Sequence, residues 1–231
     1  MKKRILGAGV LTAMMLFSPI AGNSVDASTL AEAKLQQSTP KFMWGANELY
    51  DSQMGRIVFT KNVKVYKKDS KGVAQFHMNA KKGSMWRVYK ITDEGGKKVY
   101  DLGAGVRVQQ SNLSKYETPP KDLVAKQVKQ NGAYLSWEQG VGSAHPYPQI
   151  RKLADESIKD DLNKGIKDMA IWASHSGDVL EDMEIKVLEN KNNKLKVYYK
   201  VTTSDSDYGR VSTSEYTYVY DLTTGEVEYI K

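Results

Sequence analysis

The sequence predicts a mainly β protein with an α+β part. It places a small β-barrel or sandwich first, followed by an amphipathic helix packed on an antiparallel sheet. Three observations support this. Short alternating runs recur between residues 56 and 109, one stretch near residues 150–170 has helical periodicity, and four more alternating runs end the chain. A helix followed by an antiparallel meander is an α+β arrangement.

The first 27 residues have the layout of a secretory signal peptide. Lys2–Arg4 is positively charged, and Ile5–Ile20 is apolar and uncharged. Val25–Ala27 places residues of small or moderate size at the positions that a signal peptidase reads. The apolar run is shorter than the ~20 residues that a membrane-spanning helix needs. We therefore expect cleavage near Ala27, a secreted or cell-wall-associated protein, and no membrane span after cleavage.

A front module is predicted over residues 42–119, after a flexible polar leader at residues 28–41. Turn residues such as Lys81-Lys82-Gly83 and Gly103-Ala104-Gly105 separate its predicted strands. Pro119 and Pro120 then indicate a linker, because proline cannot donate to a sheet ladder and resists helix. The predicted strands are Arg56–Phe59, Val63–Lys67, Val73–Met78, Met85–Ile91, Lys97–Leu102 and Val106–Gln109.

A back module is predicted over residues 122–231. It begins with weak strands at Leu123–Lys129 and Ala133–Trp137. The helix follows, with Pro148 in its first turn, where proline is tolerated. Its apolar stripe recurs at three- and four-residue steps. The stripe consists of Ile150, Leu153, Ile158, Leu162, Ile166, Met169 and Ala170.

Four antiparallel strands are predicted after this helix. Apolar and polar residues alternate around residues 183–187, 195–201, 216–220 and 227–229. Turn residues separate these runs at Asn190–Asn193 and at Thr223-Thr224-Gly225.

Charge is distributed unevenly along the chain. Residues 28–121 hold 17 Lys and Arg against 8 Asp and Glu, a net charge of +9, whereas residues 122–231 hold 14 against 18, a net charge of −4. An asymmetry of this kind reports on partners rather than on fold. The chain has no cysteine, which excludes disulfides, thiolate zinc sites and cysteine nucleophiles.

The front module resembles an SH3-like domain of secreted Gram-positive proteins. The resemblance rests on ordered short elements that include Trp44-Gly45, Gln53–Ile57, Arg87-Val88-Tyr89, Gly105-Val106 and Tyr116–Pro119. It implies a small SH3-like β-barrel that acts as a non-catalytic attachment or accessory module.

The back module resembles the small α+β domain that accompanies polysaccharide deacetylases and anti-sigma factors of the same bacteria. The residues that carry this resemblance are Tyr147–Ile150, Asn163 in the following helix and Tyr218–Glu226. It carries no enzymatic residues. By analogy with the anti-sigma factors it implies binding of a protein, either an envelope partner or a host muramidase. A cup for a small ligand between helix and sheet remains an alternative.

We predict no catalytic residue, no metal site and no cofactor. His77, His145 and His175 have no metal-ligand spacing, and Ser174-His175-Ser176 lacks a Gly-x-Ser-x-Gly elbow. Asp205–Gly209 fits a wide hairpin loop better than a calcium loop, which would need a later bidentate glutamate. We therefore expect a binding protein, with an accessory protein or enzyme of cell-wall glycan modification as the alternative.

Wall binding is predicted for the front module, with an anionic cell-wall polymer or peptidoglycan as the partner. Cations beside aromatic rings suit anionic polymers and sugar or peptide stems. The alternative is that these aromatic residues fill the core of a small barrel. We expect no nucleic-acid partner, because the protein is predicted to be exported. The candidate residues are Lys81, Lys82, Arg87, Lys97, Lys98, Arg107, Trp86 and Tyr89.

Overall fold

The computed structural model describes residues 41–140, 142–143, 145–174, 179–205 and 208–230. The predicted signal peptide, the leader up to residue 40, His175 and Ser176 lie outside this part of the chain. Residues 41–231 form one compact unit. The described fold is mainly β with two helices, so the predicted mainly β class is confirmed.

The described strands of the front module form four small sheets and no closed barrel. All neighbouring strands are antiparallel, and the sheet orders are β1-β2, β10-β3-β6, β4-β5 and β7-β8-β9. The strands are Met43–Trp44 (β1), Asn47–Glu48 (β2), Gly55–Phe59 (β3), Val63–Lys68 (β4), Ala74–Ala80 (β5), Met85–Val88 (β6), Lys90–Glu94 (β7), Lys97–Asp101 (β8), Arg107–Gln109 (β9) and Ser114–Glu117 (β10).

The predicted single strand Met85–Ile91 is two strands that belong to different sheets. β6 pairs with β3, and β7 pairs with β8. Tyr89 lies between them, and its N–H donates to the carbonyl of Asp101. An apolar cluster lies among these sheets, because alternate residues point to the same side of each strand. Its buried members include Ile57, Phe59, Val65, Val88, Tyr100 and Val106.

The predicted weak strand Leu123–Lys129 is wrong: Lys121–Asn131 is an α-helix, α1. Val124, Gln127 and Val128 are its buried residues. They lie at helical steps of three and four, but with only two apolar members the stripe is too short to stand out in the sequence. α1 begins directly after Pro120. Proline is tolerated at the start of a helix because the N–H groups there have no acceptor within the helix, so the missing N–H of proline costs no hydrogen bond.

The predicted helix start at Pro148 and Ile150 is also wrong. Both residues lie in strand Tyr147–Lys152 (β12), which pairs with Tyr134–Glu138 (β11). The long helix is Glu156–Ser174 (α2). Its start is set by Asp155, whose Oδ1 accepts the N–H groups of Ser157 and Ile158, as an N-terminal cap does.

The four predicted C-terminal strands are present as a meander in the order β13-β14-β15-β16. Asn192 and Asn193 join the first two with φ angles of +52° and +60°, the left-handed pair that a tight hairpin turn requires. The strands are Val179–Lys191 (β13), Lys194–Ser204 (β14), Val211–Asp221 (β15) and Val227–Ile230 (β16).

A second apolar cluster is built from residues after the two prolines. It contains Leu162 and Ile166 from α2, together with Leu195, Val197 and Tyr199 from β14. Val124 and Val128 of α1 belong to the same cluster. The cluster thus lies after the prolines in sequence, and the cluster of Ile57 and Phe59 lies before them.

A buried polar network joins the turn at residues 49–51 to α1 and β12. Gln127 is 2 % exposed, and its Nε2 donates to the Leu49 carbonyl at 2.9 Å. Lys152 is 4 % exposed, and its Nζ donates to Gln127 Oε1 at 2.7 Å and to the Tyr50 carbonyl at 3.0 Å. Residues far apart in sequence therefore hold one another's buried polar groups.

Candidate functional site

Lys81 and Lys82 lie in the tight turn between β5 and β6. Both are exposed. The Ser84 N–H donates to the Lys81 carbonyl, and the Lys82 N–H donates to Asn62 Oδ1 at 2.9 Å. The backbone of this turn is therefore held in place while its two ammonium groups face solvent.

Lys97 and Lys98 lie on β8 opposite two acidic residues of β7. Glu94 is the register partner of Lys97, and Asp93 is that of Lys98. Both carboxylates have other partners: Glu94 pairs with Arg107, and Asp93 Oδ1 accepts the Gly96 N–H. Among the described residues, no ion pair involves Lys97 or Lys98, although both are exposed.

The segment 110–113 has backbone contacts with β8 at one end and near Asn62 at the other. The Gln110 N–H donates to the Lys98 carbonyl at 2.7 Å. At its other end, the Leu113 carbonyl accepts the Thr60 N–H at 2.9 Å, two residues before the Asn62 that holds Lys82. Lys98 thus has a backbone bond to this segment, and Lys82 is held close in sequence to Thr60, which bonds its other end. Lys81 and Lys97 are the chain neighbours of Lys82 and Lys98. We call these four residues the lysine surface.

Arg87 and Arg107 have internal partners. The Arg87 guanidinium lies 4.2 Å from the centre of the Tyr50 ring, and it donates to the Glu48 carbonyl at 3.2 Å. Arg107 pairs with Glu94 and also donates to Thr92 Oγ1 at 3.2 Å. Both arginines are half-buried. Their charge is largely used within the protein, which separates them from the four lysines.

Trp86 borders a small pocket of about 70 Å³ that also includes Trp44. The Arg56 guanidinium lies 4.1 Å from the Trp44 ring centre and donates to Glu117 at 2.9 Å. This hydrogen bond lowers the pKa of the Glu117 carboxyl. Arg56 and Glu117 belong to segments that carry the SH3-like resemblance, but they are not among the predicted wall-binding residues. They are 61 positions apart, and only the pairing of β3 with β10 brings them together.

Tyr89 lies in a different concavity, a cleft of about 580 Å³ that Arg151 and Lys159 also line. Most of its charged groups are in ion pairs: Lys159 pairs with Glu156, which also lines the cleft, and Arg151 pairs with Glu138 outside the lining. The two predicted aromatic contacts, Trp86 and Tyr89, thus belong to separate concavities, and neither cavity contains both.

Two groups that lie away from these surfaces have pKa values shifted by burial. Burial lowers the pKa of Lys152 to about 8, against the opposing effect of the nearby Asp51 charge. It raises the pKa of Tyr116 to about 12. Tyr116 donates its hydroxyl to the Met54 carbonyl at 3.0 Å and stacks on Tyr100 at 5.1 Å. Both groups are part of the packed interior.

The C-terminal sheet has an open edge. β16 is exposed throughout and pairs only with residues 217–220 of β15. In the part of the chain that the structure describes, no strand pairs with the outer side of residues 211–216. Residues 211–215 are exposed, and Val211 is 65 % exposed. An unpaired row of N–H and C=O groups is a template for another strand.

The described residues include no group of three or more His, Cys, Asp or Glu side chains placed to hold a metal ion. Asp205 instead organises the β14–β15 connection, where its N–H donates to the Arg210 carbonyl and its carbonyl accepts the Gly209 N–H. Neither described helix combines the length and apolarity that crossing a bilayer requires.

Comparison with family models, with curated proteins and with solved structures finds no significant match to this chain. The resemblances to an SH3-like domain and to the deacetylase-associated α+β domain stay predictions from the sequence.

Proposed function

We propose that this chain is an exported, non-enzymatic cell-envelope protein whose front module attaches to an anionic wall polymer. The observation that carries the proposal is the lysine surface: four exposed lysines, two in the β5–β6 turn and two on β8, that belong to no ion pair among the described residues. In this proposal the front module is an SH3-like attachment module and the back module is a helix packed on a sheet.

The chemistry favours a phosphate-bearing polymer over a neutral glycan. Flexible ammonium groups bind phosphates as point charges. Neutralising phosphates releases condensed counterions, so the affinity falls steeply as salt rises. The net charge of +9 over residues 28–121 extends this attraction beyond the four lysines. Arg87 and Arg107 contribute to this field while remaining in their internal contacts.

Sedimentation with purified Gram-positive walls tests the proposal. Residues 41–231 should pellet with walls at about 50 mM salt and be released at about 500 mM. Replacing Lys81, Lys82, Lys97 and Lys98 with Gln should weaken pelleting about tenfold or more, since several phosphate contacts are lost. The matched control replaces four exposed lysines of the back module, Lys164, Lys167, Lys191 and Lys194, with Gln.

Pelleting that ignores salt, or that persists on walls stripped of their phosphate polymers, would overturn the electrostatic proposal. It would support recognition of peptidoglycan stems by the pocket of Trp44 and Trp86 instead. A Trp86→Ala variant would then lose binding. If the protein releases soluble glycan fragments or acetate from walls, the non-enzymatic part of the proposal is wrong.

We further propose that the back module binds a protein partner, and that a strand of this partner pairs with the open edge of the C-terminal sheet. The unpaired outer side of residues 211–216 supports this, because main-chain hydrogen bonds of an added strand supply affinity. The V211K/T213K variant should abolish capture of the partner from envelope extract, since edge lysines block strand addition. Leu188→Lys, at an exposed residue of β13 on the opposite side of the sheet order, is the control. Recovery of a small molecule and no protein would favour a ligand cup.

A further inference from the structure

The β4–β5 hairpin exposes an unusual amount of apolar surface. Phe76 is 57 % exposed, Val73 53 %, Tyr66 47 % and Met78 37 %. Tyr66 and Phe76 are register partners, and their rings meet edge to face with centres 6.3 Å apart. From Ala74 to Asn79 every residue of β5 is exposed, so no described element covers this part of the hairpin, although Val65 of β4 is buried in the front apolar cluster. Apolar clusters of this kind on a soluble protein mark an interaction surface.

Exposed lysines lie on the same hairpin as this apolar cluster. Lys64, Lys67 and Lys71 are exposed along the same hairpin. The one acidic residue of the hairpin sequence is Asp69, and its Oδ1 accepts the N–H groups of Lys71 and Val73 at 2.9 Å each. The carboxylate is thus occupied in shaping the loop. The hairpin therefore exposes aromatic and aliphatic side chains together with positively charged lysines.

This combination fits an anionic lipid surface better than the other partners. Lysine is depleted at the core of protein–protein interfaces, whereas here Lys64 and Lys67 lie on β4 on either side of Tyr66 in sequence. A phosphate polymer would neutralise the lysines, but it would leave Phe76 and Val73 in water. A bilayer interface accommodates both, because aromatic rings bury at headgroup level while lysines extend to the phosphates.

We propose that the hairpin Val63–Ala80 docks on anionic phospholipid, with Tyr66, Val73 and Phe76 entering the headgroup–acyl boundary and the lysines contacting lipid phosphates. The docking is peripheral. It is independent of the wall-polymer proposal, because it uses neither the lysine surface nor the sheet edge. A protein with both surfaces would lie between the membrane and the wall.

Co-sedimentation with vesicles tests this. The probe is residues 41–231 mixed with vesicles of phosphatidylglycerol and phosphatidylcholine, or of phosphatidylcholine alone. Binding is expected to the anionic vesicles only. Y66S/F76S should lower partitioning about tenfold or more, since two partly inserted rings are removed. The control is Tyr208→Ser, which removes a 79 % exposed aromatic from the back module. Circular dichroism verifies that each variant is folded.

A second arm separates lipid from phosphate. Soluble polyphosphate has the charge but no acyl chains, so the wild type and Y66S/F76S should bind it equally well. Equal binding of both proteins to anionic vesicles, or binding to pure phosphatidylcholine as strong as to phosphatidylglycerol, overturns the proposal. An absence of vesicle binding by the wild type also overturns it.

Discussion

The Nζ atom of Lys152 lies 2.7 Å from Oε1 of Gln127, and both side chains are buried. The other acceptor of this amine is the Tyr50 carbonyl. A neutral amine has two N–H groups, one for each of these acceptors, whereas an ammonium has a third. The site is therefore suited to uncharged lysine, in agreement with a pKa lowered to about 8 by burial.

We predict that the free energy of unfolding rises between about pH 7 and about pH 9.5. The ordinary pKa of Lys152 is 10.5, so the unfolded chain holds its proton across this range while the folded protein releases it near pH 8. Stability therefore increases with pH, by about 2 kcal/mol for a shift of this size. Urea denaturation at the two pH values measures it.

The control for this prediction is Lys152→Met, which should remove the rise between these pH values. Measurements stay below about pH 10 because the buried Tyr116 and Tyr220 hydroxyls, with pKa values raised to about 12, ionise more readily in the unfolded chain. An unchanged slope in Lys152→Met would show that another group titrates.

Gly132→Ala should destabilise the protein by about 2–4 kcal/mol. Gly132 has a φ of +83°, and an added Cβ would collide with the Asn190 carbonyl and lie 2.7 Å from its Oδ1. The Asn190 side chain cannot move away freely, because it holds both the N–H and the carbonyl of Ala133 at 2.8 Å.

Gly165→Ala is the matched control for this substitution. Gly165 lies inside α2 with open space around its missing Cβ. Alanine there should stabilise by about 0.5–1 kcal/mol, since glycine is a poor helix former. Chemical denaturation of both variants measures the contrast, and equal effects would contradict the close approach at Gly132.

Asn163→Ala should cost about 2–3 kcal/mol. The Asn163 amide accepts the Ile150 N–H at 2.7 Å and donates to the Ile150 carbonyl at 2.9 Å, which fixes α2 to β12. Asn163→Asp should not restore stability, because a carboxylate accepts but cannot donate. Lys164→Ala, at the next and exposed position, should change stability by less than about 0.5 kcal/mol.

Arginine and lysine candidates of the front module should differ in their effect on stability. Arg87→Gln should destabilise by about 1–2 kcal/mol, since it loses the Tyr50 ring and the Glu48 carbonyl. Replacing both Lys97 and Lys98 with Gln should leave the melting temperature nearly unchanged. If the lysine replacements unfold the module, the lysine surface has a structural role that the proposal does not contain.

The sequence predicts the back sheet well because its pattern is local. Residues 195–201 alternate without a break, and Asn192-Asn193 permits few conformations other than a turn. The region before α2 could not be predicted from the same pattern. Ile150 and Leu153 are buried for different reasons, one in a strand and one after it, yet their spacing continues the helical stripe.

The net positive charge of the candidate site could be predicted from the sequence, but the arrangement of its residues could not. Composition separates a basic front module from an acidic back module, whereas it cannot distinguish Lys97 from Arg107. The distinction depends on Glu94, which faces Lys97 in register yet pairs with Arg107 on the next strand but one. Only the pairing of β7, β8 and β9 reveals which cation is already neutralised.

The network of Gln127 and Lys152 also imposes an order on folding while the chain is being synthesised. When residues up to Pro120 have emerged, the Leu49 and Tyr50 carbonyls still lack the side chains that bind them, and Lys152 is the later of the two to appear. Apolar contacts among Ile57, Phe59 and Val88 can form before then, but the 49–51 turn remains unfinished. A nascent chain therefore completes its first part only after about thirty further residues of its second have emerged.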